Sequence, residues 1–311
     1  MRVVFMGTPD FSVGTLEEII AAGHEVVGVV TQPDKPKGRG KEMQATPVKA
    51  VAQKHKLKVY QPIKVKEATF VEELKEMNPD IIVVVAFGQI ISQEILDLPK
   101  YGCINVHASL LPKYRGAAPI QWAVIDGEEK SGVTIMRMDA GLDTGDMIAK
   151  AEVILNLDET GGSLFDKLSQ AGAKLLVKVL DDIEKGTAIY EPQPENSPTP
   201  YAKMIKKHMG QIDFNEEAVA IERLIRGLNP WPSAYTKANG KTLKLWRAAV
   251  AKERTRSNPG TVVRIDEQAI WVQTKRGLLG IEELQLEGKK RMGVADFLRG
   301  FKMNEGNVLG E

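Results

Sequence analysis

Disulfides are the first thing this chain cannot have: Cys103 is the only cysteine among 311 residues. An intracellular setting is therefore the expectation. Apolar runs stop short of the roughly 18 residues that a membrane-spanning helix needs, so no membrane partner is expected. Met1-Arg2 leads straight into Val3-Val4-Phe5 without room for a signal or transit peptide, which makes the expected localisation cytoplasmic. The dinucleotide fingerprint is missing as well. Gly7 is followed by Thr8 and Pro9, and the next glycine is Gly14, so GxGxxG is absent. Backbone amides at that helix start can still hold an anion, but no dinucleotide is placed there. Aromatics are few, at 6%, and no internal repeat is visible.

What is there is ordinary for a globular protein: 43% hydrophobic and 27% charged residues. The length of 311 residues predicts two domains, each with its own core. The net charge of +1 hides an asymmetry. Residues 1–200 hold 22 Lys+Arg against 28 Asp+Glu, and residues 201–311 hold 20 against 13. That split suits a C-terminal part that meets a polyanion, and equally a small domain kept soluble by lysines.

Continuous aliphatic runs separated by helical periodicity predict a doubly wound, mostly parallel α/β sheet of Rossmann-like form. The strands fall at residues 2–7, 24–30, 58–60, 80–85, 104–107 and 133–138. A helical pattern through Leu16, Ile19 and Ile20 closes at Gly23, and a long helix spans 163–185 through Leu164, Leu168, Leu175, Val179 and Ile183. Residues 191–200, EPQPENSPTP, form a proline-rich, semi-extended stretch. The predicted division is 1–190, a linker at 191–205, and 206–311. In the last part a helix through Ala218, Ile221, Leu224 and Ile225 precedes short strands at 234–236, 243–246, 260–263, 269–272 and 278–281. That spacing predicts a small OB-like β-barrel.

The chemistry gathers in Gly102 to Gly116, GCINVHASLLPKYRG. Alternation of Ile104 and Val106 with Asn105 and His107 puts amide and imidazole on one face of a strand, near its carboxyl end. Asp143, in the loop Gly141-Leu142-Asp143-Thr144-Gly145-Asp146, supplies a carboxylate. Taken singly, His107 fits a hydrogen-bonded core position and Asp143 an Asx turn. If the three converge, they suit acyl transfer without a covalent enzyme intermediate. Asn105 and a protonated His107 would donate to the tetrahedral oxyanion. Asp143 would orient the imidazole, and His107 or a water on Asp143 would move the proton. Asp139, Asp143, Asp146 and His107 lack the spacing of a metal motif, so no metal is expected. Ser109 lacks the GxSxG elbow of a nucleophile.

These segments resemble the folate-dependent formyltransferases. The likeness rests on Asn105-Val106-His107-Ala108-Ser109-Leu110-Leu111-Pro112, on Tyr114-Arg115-Gly116-Ala117-Ala118-Pro119-Ile120, and on Gly141-Leu142-Asp143-Thr144-Gly145-Asp146. It implies 10-formyltetrahydrofolate as formyl donor and Asn105, His107 and Asp143 as catalytic residues. It also implies a folate-contacting turn at Ser109, Leu110, Leu111 and Pro112, with Phe87-Gly88-Gln89 and Asp139-Ala140-Gly141 lining the pterin pocket.

The basic stretch Pro33-Asp34-Lys35-Pro36-Lys37-Gly38-Arg39-Gly40-Lys41 reads from composition either as a solvated, mobile loop or as a grip on phosphates. It is similar to the inserted loop with which the methionyl-tRNA branch of this superfamily enters the acceptor arm, which implies tRNA contacts by Lys35, Lys37, Arg39 and Lys41. Asn229-Pro230-Trp231-Pro232 resembles that branch's entry to its C-terminal domain, with Ser233 where glycine is common. The partners implied are initiator methionyl-tRNA and folate, and the chain is read as a monomer. The alternatives are a formyltransferase acting on an aminosugar nucleotide and a non-catalytic RNA-binding protein.

Overall fold

The computed structural model describes residues 1–37 and 42–310, with Lys37 described in its backbone alone. The chain divides into two compact units. Unit 1 comprises residues 1–119, 130–154 and 165–202, and unit 2 comprises 120–129, 155–164 and 203–311.

Unit 1 begins with β1 (Arg2–Gly7) and β2 (Glu25–Val30), then a separate hairpin of β3 (Lys35–Lys37) and β4 (Glu42–Gln44). It continues with β5 (Val59–Tyr60), β6 (Ile81–Val85), β7 (Cys103–His107), β8 (Lys130–Arg137) and β9 (Met147–Ile154). The main sheet has the order β5-β2-β1-β6-β7-β8-β9. Its first five strands are parallel, while β7–β8 and β8–β9 pair antiparallel. The mostly parallel, doubly wound sheet read from the aliphatic runs is therefore present.

Both faces are covered, which is why β6 reads as five consecutive aliphatics, all buried. On one side Val4, Met6, Val30, Ile82 and Val84 meet Phe70, Val71, Leu74 and Met77 of a helix at Ala68–Met77. Burial of each such side chain contributes roughly 1.5–3 kcal/mol. The other face carries a helix at Val13–Ala21 and the body of a long helix at Gly161–Glu184. A Cβ on Gly172 of that long helix would sit 2.8 Å from Val106 Cγ1, so glycine sets how closely the helix covers β7.

Three features depart from the pattern read along the chain. Part of the basic stretch is a hairpin, with Lys35 opposite Gln44 and Lys37 opposite Glu42. Two prolines and two glycines masked its short strands. Second, β9 was not anticipated, because its residues are mostly half-buried or exposed and give little apolar signal. Third, residues 191–202 do not hang between domains. They run along unit 1 as a strap, bridged at Glu191 to Met147 and at Ala202 to Gly116. Proline blocks helix and leaves chain extended; that is equally what a bonded strap requires.

Unit 2 carries β10 (Ala234–Ala238), β11 (Lys241–Ala251), β12 (Val262–Ile265), β13 (Ile270–Gln273), β14 (Leu278–Leu286) and β15 (Met292–Gly293). They form an antiparallel sheet in the order β10-β11-β14-β13-β12, with β15 on β14. This is the small β domain expected, although β10 and β12 are not paired with each other among the described residues. Ile221 and Ile225 of a helix at Ala218–Gly227 join its core with Leu243, Leu245, Ile281 and Leu284. The unit also takes in two segments from earlier in the chain, so the division is not linear. Trp122 Nε1 donates to Lys203 O at 2.8 Å, and Arg226 Nη1 donates to Glu159 O at 2.9 Å.

Ser233 takes φ +71° and is 1% exposed. That is the left-handed region, which explains why glycine suits this position. Relief of the strain exceeds the added freedom of the unfolded chain, so Ser233→Gly is expected to stabilise unit 2 by about 0.5–1 kcal/mol. Denaturant titration of the full chain measures this; a lower midpoint for the glycine variant contradicts it.

Candidate active site

The order of the main sheet reverses between β1 and β6, and in such sheets ligands bind beyond the carboxyl ends of the strands near that point. Thr8 Oγ1, just after β1, donates to Phe87 O, just after β6, at 3.0 Å. One strand over, β7 ends on His107.

Asn105 and His107 lie two residues apart on one face of β7. The ring of His107 is 6% exposed. Its Nε2 donates to Tyr114 O at 3.0 Å, and its Nδ1 faces Asp143 Oδ1 at 3.6 Å. With the hydrogen on Nε2, as a carbonyl partner requires, a neutral ring turns a lone pair at Nδ1 toward a carboxylate oxygen. Two acceptors then face each other. A proton on Nδ1, or an N–H or O–H donor entering between them, satisfies the arrangement. Asn105 is half-buried, and its side-chain amide has no hydrogen-bond partner among the described residues. Of the two oxyanion donors expected from the sequence, the amide is the one with open hydrogens.

Asp143 sits in a loop folded tightly onto the end of β8. A Cβ on Gly145 would lie 1.8 Å from Arg137 O, so only glycine permits that approach. Asp143 itself has φ +56°, a conformation that Asp tolerates better than most residues. Its Oδ2 accepts from Gly116 N at 2.9 Å. Tyr114 and Gly116, one residue to either side of Arg115, thus hold the imidazole and the carboxylate respectively. Their role was not legible in the sequence, because it is carried by backbone atoms.

The turn from Ser109 to Pro112 is rigid. Buried Thr134, across the β7–β8 ladder from His107, donates to Ser109 O at 2.7 Å and accepts from Leu111 N at 3.0 Å. Ser109 Oγ donates to Lys113 O at 2.7 Å, so its proton goes to a carbonyl and not to a general base. Leu110 is half-buried, and Leu111 packs with Met136 and Met147. Pro112 O accepts from Ser197 Oγ of the strap at 2.8 Å.

The other predicted pocket residues lie in loops tied down separately. Phe87 is buried, Gly88 takes φ +83°, and Gln89 spends its amide on Val65 N at 2.7 Å and Pro62 O at 3.4 Å. Asp139 Oδ1 accepts from Gly141 N at 2.9 Å and Thr144 Oγ1 at 2.8 Å. None of these bonds reaches His107 or Asp143. Cys103 is buried, and burial pushes its thiol up to about 12, so it remains protonated and inert. Among the described residues, no group of three His, Cys, Asp or Glu is arranged to hold a metal ion. Nor is any described helix long and apolar enough to cross a membrane.

Of the four basic residues predicted to contact tRNA, Lys35 is exposed on β3 and Lys37 is described in its backbone alone. Arg39 and Lys41 lie outside the described residues. The root of the hairpin is anchored: Asp34 accepts from Lys49 Nζ and Gln61 Nε2, both at 2.6 Å, and Gln61 Nε2 also donates to Gln32 O at 2.9 Å. Gln32 Nε2 in turn donates to Phe87 O at 3.3 Å.

Comparison with known proteins bears on this constellation. Residues 1–180 match the model of the formyl transferases, and residues 204–302 match that of the formyl transferase C-terminal domain. The chain belongs to the formyl transferase family. It is 62% identical over 309 residues to a methionyl-tRNA formyltransferase from Agathobacter rectalis, covering 99% of each. It is 55% identical to the methionyl-tRNA formyltransferase of Lachnospira eligens, covering 100% of each. Among solved structures, an N-formyltransferase from Helicobacter canadensis in complex with folinic acid and dTDP-3-aminofucose has TM-score 0.69 at 20% identity. That likeness covers 94% of this chain and 100% of the other. HypX from Aquifex aeolicus in complex with tetrahydrofolic acid has TM-score 0.64 at 19% identity, and this chain spans 50% of its length.

The hydrogen bonds from Lys49, then from Gln61, hold the Asp34 carboxyl below its ordinary value of 3.8. A depressed folded value means the interaction stabilises the root above pH 3.8 and is lost as pH falls through the folded value. NMR titration of Asp34 is expected to show a midpoint below 3.8, moving upward in Lys49→Met. An unmoved midpoint in that variant contradicts the anchor.

Proposed function

We propose that this chain transfers the formyl group of 10-formyltetrahydrofolate to the α-amino group of methionyl-tRNA, giving the formylmethionyl-tRNA used to initiate translation. The observation that carries this reading is the His107–Asp143 pair, 3.6 Å apart and held by Tyr114 O and Gly116 N, with the unpartnered Asn105 amide on the strand that bears His107. The acceptor assignment is supported by relatives of 62% and 55% identity over essentially the whole chain that bear that activity as their name.

The chemistry requires one C–N bond to form and another to break at the formyl carbon. As the amine attacks, negative charge develops on the formyl oxygen, and Asn105 donates an N–H to it. The attacking nitrogen must shed a proton and the departing nitrogen must gain one. The gap between His107 Nδ1 and Asp143 Oδ1 is where that proton is received and passed on, as an N–H donor there satisfies both acceptors. The Tyr114 carbonyl keeps the ring in the tautomer that leaves Nδ1 available. The donor folate would contact Ser109, Leu110, Leu111 and Pro112, with Phe87, Gly88, Gln89 and Asp139 along its pterin end.

The acceptor arm of the tRNA would be gripped by Lys35, Lys37, Arg39 and Lys41 of the basic stretch. The basic residues 203–311 would neutralise phosphates farther along. The enzyme acts as a monomer in the cytoplasm, and sedimentation of the purified chain tests its oligomeric state. A sugar amine is the rival acceptor, since sugar N-formyltransferases share the fold; basic residues on the hairpin favour a polyanion instead.

A formylation assay with methionyl-tRNA and with an amino-sugar nucleotide decides the acceptor: the tRNA is expected to be formylated and the sugar not. Turnover of the sugar alone, or RNA binding without turnover, overturns the reading. Asn105→Ala is expected to lower kcat by roughly 100- to 1000-fold, and His107→Ala and Asp143→Asn by roughly 100-fold or more, with folding intact. Wild-type rates in any of them remove its assigned role. Arg39→Ala is expected to raise KM for tRNA, and to flatten the salt dependence of tRNA use, while sparing folate binding. A change confined to folate affinity overturns the assignment of the hairpin.

A further inference from the structure

Among the strap's contacts with the site, those of Gln193 are used by neither the resemblance nor the proposed chemistry. We propose that Gln193 is a positioning residue for Asp143, clamping the 141–146 loop so that the carboxylate stays opposite the His107 ring. This rests on the catalytic reading of Asp143 given above.

Pro192 and Pro194 flank Gln193; both are exposed, while Gln193 turns inward and is half-buried. Both the oxygen and the nitrogen of its side-chain amide are engaged. Oε1 accepts from Arg115 Nε at 3.0 Å, and Nε2 donates to Asp143 O at 2.9 Å and to Gly145 O at 2.7 Å. The two carbonyls bracket Thr144, so the amide fixes the backbone that carries the catalytic carboxylate. Arg115 is 9% exposed, and two further N–H groups donate to Glu195 O at 3.1 Å and Pro194 O at 2.7 Å. Its backbone neighbours Tyr114 and Gly116 hold His107 and Asp143. The result is a closed ring of bonds in which the imidazole and the carboxylate are referenced to one guanidinium.

The side-chain chemistry at position 193 is narrowly specified. An amide offers one acceptor and two donors, whereas a carboxylate offers no donors and a hydrocarbon neither. Asparagine is one methylene shorter. Asp143 also has φ +56°, a less populated backbone conformation that its hydrogen-bonded surroundings help to hold. Loss of the two carbonyl bonds lets the loop relax, and misplacement by about 1 Å can cost about 100-fold in rate.

The test compares Gln193→Ala, Gln193→Glu and Asp143→Asn in the full chain. It measures kcat and KM for both substrates, thermal midpoints, and amide hydrogen exchange over residues 141–146. Gln193→Glu keeps a partner for Arg115 but cannot donate to Asp143 O or Gly145 O. The expected result is a kcat lowered about 10- to 100-fold in both Gln193 variants, both KM values within about twofold of wild type, and faster exchange in the loop. Full activity in Gln193→Glu would show that residue 193 merely anchors Arg115, and overturns the proposal. So does a wild-type kcat in Gln193→Ala when Asp143→Asn is slow. If Asp143→Asn is itself fully active, the catalytic reading of Asp143 falls instead, and the two failures are told apart.

Discussion

An imidazole and a carboxylate held 3.6 Å apart, each by a backbone atom of the same turn, is the constraint on which the geometry beyond β7 depends. Neither group is positioned by the strand or loop that bears it alone. The ring is aimed by Tyr114 O and the carboxylate by Gly116 N, so the site depends on where the turn after β7 is placed. Thr134 fixes the beginning of that turn and the strap fixes its end. The parallel sheet beneath supplies stiffness: β6 and β7 are buried on both faces, and a helix without a Cβ at Gly172 covers the back.

The separation of the pair has a chemical reading of its own. At 3.6 Å there is no direct hydrogen bond, yet the distance is short enough for one small donor to serve both groups. The pair is thus open to a small donor, and the Asn105 side-chain amide, on the same strand as His107, has no hydrogen-bond partner among the described residues.

Much of this was legible in the chain, for identifiable reasons. Continuous aliphatics betrayed the central strands because both faces are covered. Alternation around Asn105 and His107 gave their shared face because a strand's period is two. The Gly-rich loop after an apolar run offered Asp143 as a third polar group, and the folate-formyltransferase likeness joined it to Asn105 and His107, which lie far away in sequence. The partners Tyr114 and Gly116 were not legible, since backbone atoms bond regardless of side chain. Gln193 was hidden in a stretch whose prolines read as a spacer. The strained backbone at Ser233 was signalled only by the departure from a common glycine, and β9 by too little apolar contrast. The described part of the basic stretch shows a hairpin root bonded through Asp34, where composition suggested a loop.

Unit 2 is entered three times by the polypeptide, through residues 120–129, 155–164 and 203–311. A gene truncated near residue 190 would therefore not release a tidy catalytic half. It would leave Trp122 without Lys203, and Glu159 without Arg226, as loose ends inside the fragment. The complementary fragment would lack two pieces of its own fold. Moving such a second domain onto another enzyme by simple end-to-end fusion is thereby obstructed, since two of its pieces, 120–129 and 155–164, come from inside the preceding chain.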